Sequence, residues 1–290
     1  MLGNTKLVKL EVITKKYNCN NVFYAKVEAT NPSGSIKDRA CYYMLTKLKE
    51  KGILKDGGTV VEATSGNMGI SLSYFQKELN YKAIIVMPAS MSMERRMMIK
   101  KYGAELEIVS GGMADCKKVS LDIVNNTEGA ILFRQFEDLN NPYAHYINTA
   151  REIYNEFTPD YFFAGIGTGG TISGVGKFFK DNNLATKIIG VEPFESPLLT
   201  EGHAHPHLIQ GIGANFVPDT LDRSVIDEIT TVKGEEAINM AKLIRSDEKI
   251  DCGYSSGAAL LAAINYLNAN NITGKKVVVI FPDKGDRYQW

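Results

Sequence analysis

The sequence predicts an α/β fold, with twisted sheets of parallel type flanked by helices. Three observations carry this. Short β-branched runs alternate with longer helical patterns, the runs are apolar almost throughout, and glycine- and hydroxyl-rich loops follow several of them. Strands buried on both faces read as continuous apolar segments, and parallel neighbours need a crossover, usually a helix, between them.

The elements follow in order. "ATNPSGSIKDRAC" (29–41) is a run of turn formers that leads into an apolar, helical segment. "TVVEA" (59–63) is a strand, and a helix near 70–79 follows it. "AIIVMP" (83–88) precedes a Met- and Arg-rich helix near 92–102, and "AELEIVS" (104–110) precedes a helix near 112–126. "AILFRQF" (130–136) is a strand leading to a helix near 142–157. "YFFAGIG" (161–167), "KIIGVEP" (187–193) and "KKVVVIFPD" (275–283) are further strands with helices between them. No short repeat or low-complexity linker interrupts the series, and 290 residues allow one large domain or two ordinary ones.

Composition narrows the class. Hydrophobic residues make up 44%, enough for a sizeable core, and Lys plus Arg equals Asp plus Glu at 33 each. A balanced charge does not suggest a nucleic-acid binder or a polybasic membrane protein. The start lacks the apolar core of a signal peptide, and no run approaches the roughly 18 apolar residues of a span. Cys19, Cys41, Cys116 and Cys252 are far apart and form no CxxC, so a reduced, cytoplasmic protein without a cysteine metal site is expected.

Ligands in such folds bind past the carboxyl ends of strands, so the loops leaving strands are informative. "GIGTGGTISG" (165–174) can cradle a phosphate at a helix start, or be a packing turn; it is not a Walker loop and fits the dinucleotide fingerprint poorly. "EATSGNMGIS" (62–71) offers Thr64, Ser65, Gly66 and Asn67 to a small carboxylate, or simply caps a helix. "CGYSSGAALLAA" (252–263) opens a helix with small residues, whose serines also serve as caps. Lys37, with these loops, matches what pyridoxal phosphate requires: a Schiff-base lysine, a phosphate site, a ring-nitrogen partner and a carboxylate clamp.

On "NPSGSIKDR" (31–39), "TSGNMG" (64–69), "GTGGT" (167–171), "QGIGA" (210–214) and "GYSSGA" (253–258), the sequence resembles the cysteine synthase (O-acetylserine sulfhydrylase) and cystathionine β-synthase family. This family lies within the tryptophan-synthase-β-like pyridoxal phosphate enzymes. The resemblance runs from residue 2 to residue 288. It implies two domains: residues 1–38 with 140–290 as the larger, cofactor-binding one, and 39–139 as a smaller mobile one carrying the carboxylate loop. It implies Lys37 as the catalytic Schiff-base lysine, Asn67 on the cofactor's ring hydroxyl, and Gly167, Thr168, Gly169, Gly170 and Thr171 on its phosphate. Ser255 would partner the ring nitrogen. Thr64, Ser65, Gly66, Met68 and Gln135 would surround the substrate carboxylate, and Gly213 would sense its amine. The activity implied is β-replacement, O-acetyl-L-serine and sulfide giving L-cysteine through an aminoacrylate. Related enzymes release hydrogen sulfide from cysteine, make lanthionine or cystathionine, or use O-phosphoserine. A homodimer is implied, and serine acetyltransferase's C-terminal tail is a partner within the family.

Some positions depart from the family. Met68 stands where most members have threonine, which removes a hydroxyl and either repacks the loop or reshapes the pocket. "NTAREI" (148–153) reads as a surface change in a helix, and Asn215 replaces a frequent glycine. "HAHPH" (203–207) places three histidines on one face if extended, with no cysteine or acidic cluster beside them; a solvated loop is expected there rather than a metal site.

Overall fold

The computed structural model describes residues 2–64 and 66–290. Its strands are β1 (Leu7–Leu10), β2 (Val22–Val27), β3 (Thr59–Ala63), β4 (Lys82–Pro88), β5 (Glu105–Val109), β6 (Ala130–Leu132), β7 (Tyr161–Gly165), β8 (Lys187–Pro193), β9 (Glu228–Val232) and β10 (Lys276–Phe281). Its helices are α1 (Ile13–Lys16), α2 (Lys37–Glu50), α3 (Asn67–Phe75), α4 (Met93–Lys101), α5 (Met113–Asn126), α6 (Asn140–Ala144), α7 (Ala150–Glu156), α8 (Gly170–Asp181), α9 (Leu198–Glu201), α10 (Gly234–Leu243) and α11 (Tyr254–Ala269).

Two sheets form. One has the order β1-β2-β10-β7-β8-β9 and the other β5-β4-β3-β6. Every pairing is parallel except the edge pair β1–β2. In the larger sheet β10 lies between β2 and β7, with Val277 opposite Phe23 on one side and Tyr161 on the other. The α/β architecture of parallel sheets flanked by helices is therefore the one the apolar runs predict.

The central strands β3, β4, β7, β8 and β10 are buried on both faces, which explains why they lack alternation. Val277 and Val279 of β10 pack with Leu260, Ile264 and Leu267 of α11, while Val278 and Ile280 face Phe178, Phe179 and Ile153. Leu260 and Leu267 are fully buried, so truncating either to alanine costs about 2–5 kcal/mol. On the smaller sheet, Val60 and Ile85 pack with Met44 and Leu45 of α2, Phe75 of α3 and Ile99 of α4. Val61 and Val86 cover the opposite face with Cys116 of α5. The four cysteines are unpaired and buried, and no helix among the described residues is long and apolar enough to cross a membrane.

Several boundaries differ from expectation. β6 ends at Leu132 rather than Phe136, because Arg134 adopts φ +61° and turns the chain out of the strand. α3 begins at Asn67, not near residue 70. The segment expected as one helix near 142–157 contains a π-helical turn, His145–Thr149, between α6 and α7. "NTAREI" is not a surface change. Thr149, Ala150 and Ile153 are fully buried, and Glu152 pairs with Lys26 and Arg39, each at 2.7 Å.

Candidate active site

The carboxyl ends of β7 and β10 open on one edge of the larger sheet, because these neighbours are parallel. The loop before α2 is pinned there. Ile36 N–H donates to Pro282 O at 2.8 Å, and Ser35 bridges Asp283 in antiparallel fashion. Lys37 therefore begins α2 beside the exit of β10, and it is half-buried. Burial pushes its ammonium down to about 8, against the opposing pull of the Asp283 carboxylate.

The two residues after Lys37 anchor it. Asp38 is buried and accepts from Ser33 N–H at 2.6 Å, from Ser33 Oγ, and from Ser71 Oγ on α3 at 2.6 Å. Burial raises its carboxyl, while these donors and the Arg287 charge oppose the rise. Arg39 lies across Glu28, with its Nε 2.6 Å from Oε2, and donates through Nη1 and Nη2 to Glu152, both at 2.7 Å. Burial acts to raise the Glu152 carboxyl, yet Arg39 and Lys26 hold it down at about 2. A paired, hydrogen-bonded guanidinium of this kind fixes orientation more surely than it adds stability.

β3 delivers the second loop. Thr64 is buried at its end, its N–H donates to Val86 O at 3.0 Å, and its Oγ1 accepts from Gly66 N–H at 3.4 Å. Ser65 lies outside the described residues. Asn67 opens α3 and reaches the larger sheet, its Nδ2 donating to Asp283 Oδ2 at 2.6 Å. Met68 is 1% exposed and packs in the apolar cluster with Ile85 and Ile99, so it acts on this loop from beneath. Gln135 is buried beyond the Arg134 turn, where its carbonyl accepts from Asn141 Nδ2 at 2.8 Å.

The third loop joins β7 to α8. Gly169 caps α8 with φ +81°, and a Cβ there would lie 2.7 Å from Leu221. A Cβ on Gly167 would lie 2.4 Å from Gly211 O, so the "QGIGA" loop lies directly against this one. Thr168 Oγ1 accepts from Gly170 N–H at 3.3 Å and from Asn141 Nδ2 at 3.2 Å. Thr171 Oγ1 lies 3.4 Å from His145 Nε2. Burial holds His145 well below the usual imidazole range, so it is neutral. Gly213 N–H donates to Ile166 O at 2.9 Å, and its carbonyl meets His207 Nε2 at 3.0 Å.

Ser255 is buried in the first turn of α11, and Gly253, which caps that helix, donates its N–H to Asp283 O at 3.2 Å. Asp283 thus adjoins Lys37, Asn67 and the Ser255 turn. Sequence reasoning did not single it out, nor Arg287, Tyr288, Asp38, His145 or Glu62. The available signal was "FPDKGDRY": an acid directly after a buried apolar strand. Glu62 is buried in β3, accepts from Arg134 N–H at 3.1 Å, and is pushed up to about 7 by burial. In "HAHPH" the His203 and His205 rings lie 5.1 Å apart and His203 faces Glu201 at 3.1 Å, while His207 turns away to Gly213.

The donor set suits a phosphorylated aldehyde. A half-buried amine of lowered pKa, an amide, and a glycine-threonine loop at the start of a twelve-residue helix adjoin one sheet edge. Comparison with known proteins agrees. Residues 1–283 match the family model "Pyridoxal-phosphate dependent enzyme". The chain belongs to this family, and its cofactor is pyridoxal 5'-phosphate. Among its relatives is cysteine synthase B of Campylobacter jejuni subsp. jejuni serotype O:2, 44% identical over 292 residues, covering 99% of this chain and 95% of the relative. A solved hydrogen sulfide-producing enzyme from Fusobacterium nucleatum superposes with a TM-score of 0.95 at 37% identity, covering 99% and 97% of the two chains. The solved cysteine synthase of Entamoeba histolytica gives a TM-score of 0.93 at 37% identity, covering 99% of this chain and 87% of the other.

Proposed function

We propose that this enzyme catalyses β-replacement on an activated L-serine, making L-cysteine from O-acetyl-L-serine and sulfide. The observation that carries the reading is the assembly of Lys37, Asn67 and Asp283 at the carboxyl edge of the larger sheet, beside the 167–171 loop. Bound pyridoxal phosphate supplies the electron sink that lets a proton leave Cα and a group leave Cβ. Lys37 and Asn67 hold the cofactor, with Gly167, Thr168, Gly169, Gly170 and Thr171 at its phosphate and Ser255 at its ring nitrogen. Thr64, Ser65, Gly66 and Gln135 hold the substrate carboxylate, and Gly213 faces its amine. Lys37 Nζ takes the Cα proton. Burial lowers its pKa to about 8, which favours the neutral amine that a base requires.

Residues 39–139, with the smaller sheet, close over the substrate and exclude water. The working form is a cytoplasmic homodimer, and the C-terminal tail of a serine acetyltransferase is its candidate partner. The fold shared with the Fusobacterium nucleatum enzyme favours a second reading. In it, the same site acts on cysteine and releases hydrogen sulfide, or makes lanthionine or cystathionine. Product analysis decides between them: O-acetylserine, O-phosphoserine and cysteine are each offered with sulfide or a thiol. Cysteine formed fastest from O-acetylserine and sulfide supports the first reading. Sulfide released fastest from cysteine overturns it in favour of the second.

A further inference from the structure

Asn67 presents its amide in one sense. Its Oδ1 accepts from Arg287 Nη1 at 2.9 Å, and its Nδ2 donates to Asp283 Oδ2 at 2.6 Å. A guanidinium has no acceptor, so the amide oxygen must face Arg287 and the nitrogen must face Asp283. The same Asp283 oxygen also accepts from Tyr288 Oη at 2.6 Å, while Oδ1 is buried with no hydrogen-bond partner. Asp283 and Arg287 are each 1% exposed. Both are tied to the rest of the site. Arg287 Nη2 donates to Ser33 O at 3.1 Å in the Lys37 loop, and the Asp283 backbone bridges Ser35 and accepts from Gly253. An amide nitrogen carries two hydrogens. Asp283 takes one, which leaves the other for a ligand oxygen.

We propose that Asp283 and Arg287 are positioning residues that clamp the Asn67 amide with its second N–H turned to the cofactor's ring oxygen, and so set the affinity for pyridoxal phosphate. The proposal rests on the reading of Asn67 as a cofactor-binding residue. Without the clamp, the amide flips freely and spends part of its time offering oxygen to oxygen. A role confined to holding the fold would act whether or not Asn67 has an amide. The clamp acts only through it.

The test is a double-mutant cycle, read as the dissociation constant of pyridoxal phosphate from the cofactor-stripped full chain. Asp283→Leu keeps the approximate size but removes the acceptor that Asn67 Nδ2 faces, and it weakens binding about tenfold in the parent. In an Asn67→Ala background the same change moves the constant by less than about twofold. Arg287→Lys, which cannot span both Asn67 and Ser33, shows the same dependence on background and serves if Asp283→Leu does not fold. Equal losses in both backgrounds, or no loss in the parent, overturn the clamp alone. Failure of the parent to take up pyridoxal phosphate with a Lys37-dependent absorption band overturns the functional reading, and the clamp with it.

Discussion

Asp38 Oδ1 accepts a hydrogen bond from Ser71 Oγ at 2.6 Å. One residue follows Lys37 and the other lies a turn beyond Asn67, so a single bond joins the helix that begins with the lysine to the helix that begins with the amide. Ser71→Ala is expected to lower stability by about 1 kcal/mol, read from urea unfolding. Asp38→Ala strips the acceptor from Ser33 as well and should cost about 3 kcal/mol. If the two losses are equal, Ser33 gains nothing from Asp38.

Lys37→Ala should remove the covalent cofactor band and lower β-replacement by at least about 10²–10⁴. A retained band means another lysine carries the cofactor. Stability should move the other way. Burial lowers the Lys37 pKa from 10.5 to about 8, so the folded chain binds that proton less tightly than the unfolded chain. The resulting penalty is full below pH 8 and fades as pH rises toward 10.5. Lys37→Met, which keeps the stem, should therefore raise the stability of the cofactor-free protein at pH 7 and leave it nearly unchanged near pH 11.

Glu62 has the opposite slope. Its carboxyl is raised from 4.5 to about 7, so the folded chain holds a proton that the unfolded chain releases. Stability from this group is present below pH 4.5 and lost as pH climbs through 7. At about 1.4 kcal/mol per unit, the loss approaches about 3 kcal/mol. Glu62→Gln should flatten that part of the profile, with the gain appearing at pH 8 and absent at pH 4. A parallel offset at both pH values would place the effect in packing.

Met68→Thr removes a side chain that is 1% exposed in the apolar cluster of the smaller sheet. It should cost about 1–3 kcal/mol in stability. Because Met68 acts from beneath the loop, the ranking of kcat/KM for O-acetylserine against cysteine should stay within about twofold of the parent. A reordering of donors would mean that the side chain reaches the substrate.

The legible parts of the fold were those with dense local signals. "TVVEA" and "KIIGVEP" give β3 and β8 to the residue, because continuous apolar β-branched runs are buried on both faces. β9, "EITTV", escaped notice because it is a partly exposed edge strand with too few apolar residues to stand out. The break at Arg134 is a backbone choice with no composition signal. Within the site, loops quoted in the sequence do lie at strand ends, but the Asn67–Asp283 contact joins residues 216 apart. Nothing near either residue advertises it. The same holds for Arg39, whose partners Glu28 and Glu152 come from separate elements.

The position of β10 between β2 and β7 also sets an order of events during synthesis. The smaller sheet is complete once residue 132 has emerged, and it can collapse while the ribosome is still translating. The larger sheet cannot close until residues 276–281 fill the central gap, leaving β2 without its inner neighbour for about 250 residues. At the usual rates of elongation that is a wait of roughly 12–50 s, in which β2, joined later by β7, exposes an unpaired edge. The nascent chain therefore gains Asn67 and its sheet early, and the Asp283 edge that Asn67 contacts last. Holdase binding to ribosome-bound intermediates should concentrate on residues 22–27 and 161–165, and vanish on release.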